Sequence, residues 1–192
     1  KNSKKIFLNN KNDEFYKFIE RNIWGDFYNH FNQTFFLESL VELIKPQLKK
    51  IENRSNFKNY YFNKKFSKSF YRKAFNKILK MVNYKSIRLG FEFSIIKKNC
   101  FIPPHCDTEN KLLSLMIYFP KDNTNYQDLG TNFYSKRSNS IMNMDVWESK
   151  YIDKESFGEF YENYDVFHKS KFKENKLVGF IKNDKSWHDV AE

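Results

Sequence analysis

The feature that most constrains this chain is a change of hydrophobic period at Tyr84. Before it, apolar residues recur at helical spacing. Asp13 is placed to cap a helix running through Phe15, Phe18 and Ile19, with Trp24 and Gly25 near its end. A second stretch runs from Thr34 through Leu37, Leu40, Val41 and Ile44, and Pro46 is expected to end or kink it, because proline lacks the N–H and crowds the preceding turn. Between Ser67 and Val82, Phe70, Ala74, Ile78 and Val82 share one stripe opposite basic residues, which predicts an amphipathic helix. After Tyr84 the texture is that of strands: Ile87–Ile96, Leu112–Phe119, Thr131–Ser135 and Leu177–Ile181 are rich in β-branched and aromatic residues. Pro103-Pro104, Pro120–Asn123 and Asn183-Asp184 punctuate them as turns. Helices followed by strands predict an α+β domain with helices packed on a largely antiparallel, mainly β core. The length suits one domain, 1–192, with 1–85 a mainly helical buttress and 86–192 the β core.

Composition removes several classes. Hydrophobic residues make up 40% of the chain and aromatic residues 19%, enough to build an interior, so a disordered chain is not expected. No apolar run approaches the roughly 18 residues that span a bilayer, and Lys1–Asn12 lacks the apolar core of a signal peptide, so no membrane partner is expected. Two cysteines, Cys100 and Cys106, are too few for a disulfide framework, which points to a reducing, cytoplasmic home. The net charge of +11 is concentrated between Lys45 and Lys85, where thirteen Lys or Arg stand against the single acid Glu52. Interleaved aromatics such as Tyr60, Phe66 and Tyr71 allow one reading of this stretch as a nucleic-acid surface. The plainer reading, a solvated helix face with its aromatics in the core, carries more weight, because a charge run alone rarely identifies a partner.

The residues that carry chemistry lie in the strand-rich half. His105-Cys106-Asp107 follows Pro103-Pro104 and precedes the apolar run at Leu112. In extended backbone, residues two apart project to one face, so an imidazole and a carboxylate converge on one point. His188 follows the LVGFI strand by a short turn. Two histidines and one carboxylate on one face of an octahedral ion leave three positions open, which is the facial triad of oxygen-activating non-haem Fe(II) enzymes. His30 and His168 have no carboxylate at comparable spacing and read as ordinary surface or packing residues. Alternation directs Asp189, next to His188, away from the same point.

Three segments together, FIPPHCDTENKLLSLMIYFP, GTNFY and KENKLVGFIKNDKSWHDV, resemble the 2-oxoglutarate/Fe(II)-dependent oxygenase superfamily, on its prolyl-hydroxylase-like branch. The resemblance covers Ile87 to Val190, about half of the chain, and leaves the helical part unaccounted for. It implies a double-stranded β-helix, or jelly roll, buttressed by helices. It implies Fe(II) held by His105, Asp107 and His188, O2 as oxidant, and 2-oxoglutarate as cosubstrate contacted by Tyr118, with Lys111 near that cosubstrate. Tyr118 also has a plain alternative as a packed strand aromatic. The family's basic partner for the far carboxylate of 2-oxoglutarate lies on a last strand beyond the distal histidine. Here it is expected past Glu192, together with the strand that carries it.

The activity so implied is that of a dioxygenase hydroxylating a small molecule or a residue of a protein. A nucleic-acid-directed oxygenase using the basic 45–85 surface is the second reading, and a non-catalytic jelly-roll binding module is the third. The substrate is not legible, because the loops at the mouth of such a fold choose it; Lys136–Tyr164 is the segment expected to form one.

Overall fold

The helical stretches expected before Tyr84 take their own forms in the computed structural model, which describes residues 5–20, 23–51, 59–62, 84–96, 100–120, 129–140 and 150–190. The expected first helix is two, α1 (Asp13–Ile19) and α2 (Trp24–Phe31). Asp13 does not cap α1; it lies in the first turn, after the N-cap Asn12, where its charge still favours the positive helix end. Gly25 explains the join: a Cβ there would lie 2.6 Å from the Ile19 carbonyl oxygen, so the two helices approach this closely only at a glycine. Helix α3 (Thr34–Leu48) buries Leu37, Val41, Ile44 and Leu48 on one stripe. Pro46 lies inside it, and the helix runs only two residues further, to Leu48, so the proline acts in the last turn, where little of the hydrogen-bond ladder remains to be lost. The helix expected over Ser67–Val82 lies outside the described residues, as does most of the basic stretch.

The chain divides into two units, Ile6–Ile95 and Ile96–Glu192, the latter with Lys1–Lys5. The first unit holds α1–α3 with short strand pairs. Strand β1 (Lys5–Asn9) pairs with β4 (Glu92–Ile96), and β2 (Asn59–Phe62) runs parallel to β3 (Tyr84–Ile87). The expected strand over Ile87–Ile96 is thus the end of β3 and the whole of β4, separated by residues 88–91. The core of this unit is aromatic: Phe15, Ile19 and Tyr28 pack against Trp24, Phe91 and Phe93. Phe15 is fully buried, and burial of a side chain of that size contributes about 1.5–3 kcal/mol.

The second unit contains a five-stranded sheet in the order β8-β5-β11-β7-β9 and a two-stranded antiparallel sheet of β10 and β6. Its strands are β5 (Ile102–Cys106), β6 (Leu113–Ile117), β7 (Thr131–Lys136), β8 (Lys150–Tyr151), β9 (Tyr164–Lys169), β10 (Leu177–Ile181) and β11 (His188–Val190). All pairings within the five-stranded sheet are antiparallel. Helix α4 (Phe157–Asn163) and β8 fall inside the segment expected to be a mouth loop, so at least its C-terminal part is ordered structure. Alternation along the strands sorts the interior. Phe133 and His188 face the β6–β10 pair, where Phe180 contacts both, at 5.4 Å and 4.5 Å between ring centroids. Cys106, Tyr134 and Trp187 face the other way and pack on Phe160 of α4 with Ile152 and Tyr164. Gly130, at φ 129°, leads into β7 against the Ser170 carbonyl, a position that admits no Cβ.

The architecture is therefore mixed α/β, with mainly antiparallel sheets and, among the described residues, four helices and no closed barrel. Among those residues no helix is long and apolar enough to cross a membrane.

Candidate metal centre

Two strands far apart in sequence bring the histidines together. In the antiparallel pairing of β5 with β11, His188 stands directly opposite His105, and the two rings are 4.2 Å apart between centroids. Asp107 follows β5 by one residue and, two residues from His105, projects to the same side. The ligand atoms of His105, Asp107 and His188 all lie within 4.8 Å of one another, and the three residues are 7%, 7% and 5% exposed. This buried group could hold a metal ion.

Its protonation suits that role. Burial, aided by the facing His188, pushes His105 down to about 4, and burial likewise lowers His188. Both rings are therefore neutral near pH 7. Each Nδ1 lies against a backbone carbonyl two residues back, Pro103 O at 2.9 Å and Ser186 O at 3.0 Å. A carbonyl only accepts, so each Nδ1 carries the proton and each Nε2 keeps its lone pair free for a metal.

Asp107 has the opposite problem. Burial alone would raise its carboxyl, but the Lys111 ammonium and the Ser114 hydroxyl more than offset this and hold it below the usual carboxylate range. Lys111 Nζ donates to Oδ1 at 2.6 Å and Ser114 Oγ donates to Oδ2 at 2.6 Å. An ion taking one oxygen would leave the other for Ser114, which fixes the carboxylate plane. Tyr151, opposite His105 in the β8–β5 pairing, stacks on the imidazole at 4.5 Å and 11° while remaining largely exposed. It forms an aromatic rim to the centre.

Of the expected residues, the three metal ligands converge and Lys111 is in contact with one of them. Tyr118 is placed differently: its buried hydroxyl shares hydrogen bonds with Thr131 Oγ1 at 2.9 Å and Ser170 Oγ at 2.6 Å. It lies on the side chain face of β6 that also carries Ser114 and Met116, further along the same cleft between the sheets. His30 and His168 are outside the centre, both exposed. The sequence reading missed Ser114, Tyr151 and Ser170. Only Ser114 left a signal, as the one polar residue in the apolar run LLSLMIYF. It also missed Lys182, fully buried just past β10, whose ammonium donates to the Asn183 carbonyl at 2.6 Å.

Asp189, beside His188, is turned to the opposite face as alternation requires. Asn132 Nδ2 donates to its Oδ1 at 2.8 Å, and the hydroxyls of Tyr134 and Tyr161 donate to Oδ2 at 2.6 Å and 3.4 Å. Burial raises its carboxyl, and these hydrogen bonds oppose the rise without overcoming it. No family model, curated protein or solved structure matches this chain.

Proposed function

We propose that this protein is an Fe(II)- and 2-oxoglutarate-dependent dioxygenase that hydroxylates a small-molecule or protein substrate. The observation that carries the proposal is the buried convergence of His105, Asp107 and His188 on one side of the β5–β11 pair. Two neutral imidazoles and one carboxylate are the donor set of an oxygen-activating Fe(II) site with open positions. A structural zinc site would instead be closed by a fourth protein ligand, and among the described residues none joins these three. On this reading the five-stranded and two-stranded sheets are the two faces of a double-stranded β-helix, with the metal centre in the cleft between them.

Iron with its keto-acid cosubstrate would supply the oxidising power for C–H hydroxylation. The chain's own residues have other tasks. The carbonyls of Pro103 and Ser186 hold the imidazole tautomers, and Ser114 orients the Asp107 carboxylate. Lys111, at the same carboxylate, adds positive charge beside the centre and favours an anionic cosubstrate. Phe133 and Phe180 pack against the His188 ring, at 6.3 Å and 4.5 Å between centroids, and help hold its orientation. The exposed ring of Tyr151, stacked on His105, is available to contact a substrate at the centre.

The test is an anaerobic titration of the purified chain with Fe(II) and then 2-oxoglutarate. A visible charge-transfer band that needs both additions and is missing in His105→Ala is the expected result. Iron binding without that band on adding 2-oxoglutarate would overturn the dioxygenase reading and leave a metal-binding module.

A further inference from the structure

The face of β11 turned away from the metal centre carries a second feature that the proposed oxygenase chemistry does not use. A cavity of about 330 Å³ is lined by Phe101, Asn132, Tyr134, Phe157, Tyr161 and Asp189. That volume is at the lower end of the range for small-ligand sites, roughly 300–1,000 Å³. With Val190 these make seven lining residues, four of them aromatic, and the rings follow one another around it. Phe101 meets Phe157 at 5.9 Å and 70°, Phe157 meets Tyr161 at 6.2 Å and 67°, and Tyr161 meets Tyr134 at 6.1 Å and 49°. Rings inclined in this way make a curved wall, whereas stacked rings would fill the space with one another.

The acidic group in this wall is Asp189, 5% exposed. Buried carboxylates are ordinarily paired with a cation. Here all three donors are neutral, the Asn132 amide and the Tyr134 and Tyr161 hydroxyls, and among the described residues no lysine or arginine forms an ion pair with Asp189. The site thus combines a carboxyl group held only by neutral donors with four aromatic rings. An anion would be repelled, and an uncharged apolar ligand would leave the carboxylate without a counter-charge. The hydrogen bonding narrows the choice further. Both carboxylate oxygens already accept short bonds, so a guanidinium would find no free pair of acceptors for the two-pronged contact it favours. A quaternary ammonium needs charge and ring faces but donates no hydrogen bond, and it suits what remains.

We propose that this cavity binds a methylated ammonium group, with Asp189 supplying the charge and Phe101, Phe157, Tyr134 and Tyr161 the aromatic walls. Trp187, buried beside Tyr164 and Phe160, provides an intrinsic fluorescence reporter near the site. The experiment titrates the full chain with Nα-acetyl-trimethyllysine amide, its neutral tert-butyl isostere and unmodified Nα-acetyl-lysine amide, followed by Trp fluorescence and NMR shift changes. Saturable binding of the trimethyl probe is expected, with the neutral isostere weaker by about tenfold, the contribution of a partly desolvated cation over aromatic faces. Tyr161→Ala, a change at a partly exposed residue, should weaken the probe by a similar factor, whereas Tyr161→Phe, which keeps the ring, should stay within about threefold. Asp189→Asn tests the charge independently. Equal affinity for the isostere, unchanged affinity in a folded Tyr161→Ala, or no saturation would each overturn the site. Lysine amide binding as tightly as the trimethyl probe would overturn the quaternary assignment.

Discussion

Asp107 and Asp189 sit at neighbouring strands of one sheet, both buried, and their carboxyl groups are pushed in opposite directions. Burial raises both. Asp107 ends below the ordinary range because the Lys111 ammonium is 2.6 Å away and Ser114 adds a hydrogen bond. Asp189 stays above it because its three partners are neutral. The difference teaches that neutral donors satisfy a buried carboxylate's hydrogen bonding without cancelling its desolvation, which takes a cation. One face of β11 has its cation in Lys111 and two imidazoles kept as lone-pair donors. The other has aromatic neighbours and a carboxyl group held by neutral donors alone.

The largest effect that would sharpen this contrast is on metal binding. His188→Ala removes one of three donors and should weaken Fe(II) or Co(II) binding by more than about a hundredfold, beyond what loss of an outer hydrogen-bond partner does. Anaerobic calorimetry measures it, and a near-native affinity would mean that the three residues do not act as one centre.

Acid comes next. The metal-free protein should lose stability as pH falls from 6.5 towards about 4, because the unfolded chain takes up a proton at His105 that the folded one refuses. The loss is about 3 kcal/mol, absent above the unfolded pKa, and Asp107, with its lowered carboxyl, extends it at still lower pH. Asp189, with its raised carboxyl, works in the other direction: its contribution favours the folded state at low pH and is lost as pH rises. Urea midpoints across this range should therefore slope downward into acid, and His105→Gln should flatten the slope. A flat profile in the parent chain would contradict the buried, neutral imidazole.

Tyr134→Phe attacks the other face. It removes the 2.6 Å bond to Asp189 and should cost about 1.5–3 kcal/mol, the range for a hydrogen bond to a charged group, while leaving metal affinity unchanged. A parallel loss of metal binding would show that the two faces of β11 act together and would break the comparison. Ser114→Ala should have the smallest effect on the fold, about 1.5 kcal/mol at this part-buried bond to a carboxylate, yet lower metal affinity about tenfold by releasing the Asp107 carboxylate plane. Denaturation and metal titration on the same variant separate the two quantities.

Several of these features were legible in the residues. Leu37, Val41 and Ile44 recur at helical spacing and do line the buried side of α3, while Leu40 is only half-buried and Leu48, beyond Pro46, joins the buried stripe unannounced. The LVGFI segment is β10, and TNFYS begins β7, because runs of β-branched and aromatic residues suit a pleated, half-buried surface. The i, i+2 relation of His105 and Asp107 and the outward turn of Asp189 follow from strand alternation alone. Strand β9 was not legible: YDVFHK is mostly exposed and mixes charge with aromatics, so its pairing with β7 leaves no apolar pattern. The split of the first helix was hidden as well, since the contact at Gly25 is one of backbone proximity and not of hydrophobic period.

Local chemistry, acting over a few residues, determined the helical and strand segments, the candidate metal ligands and the face each one takes on its strand. Long-range pairing decided the rest. Only the register of β11 against β5 sets His188 opposite His105 across 82 intervening residues, and only the packing of β6 brings Ser114 to Asp107. The cavity beside Asp189 likewise draws Phe101, Tyr134 and Phe157 from three separate segments of the chain. Hydrogen-bonded register and side-chain packing depend on which segments meet, and periodicity within a segment carries no record of its partner.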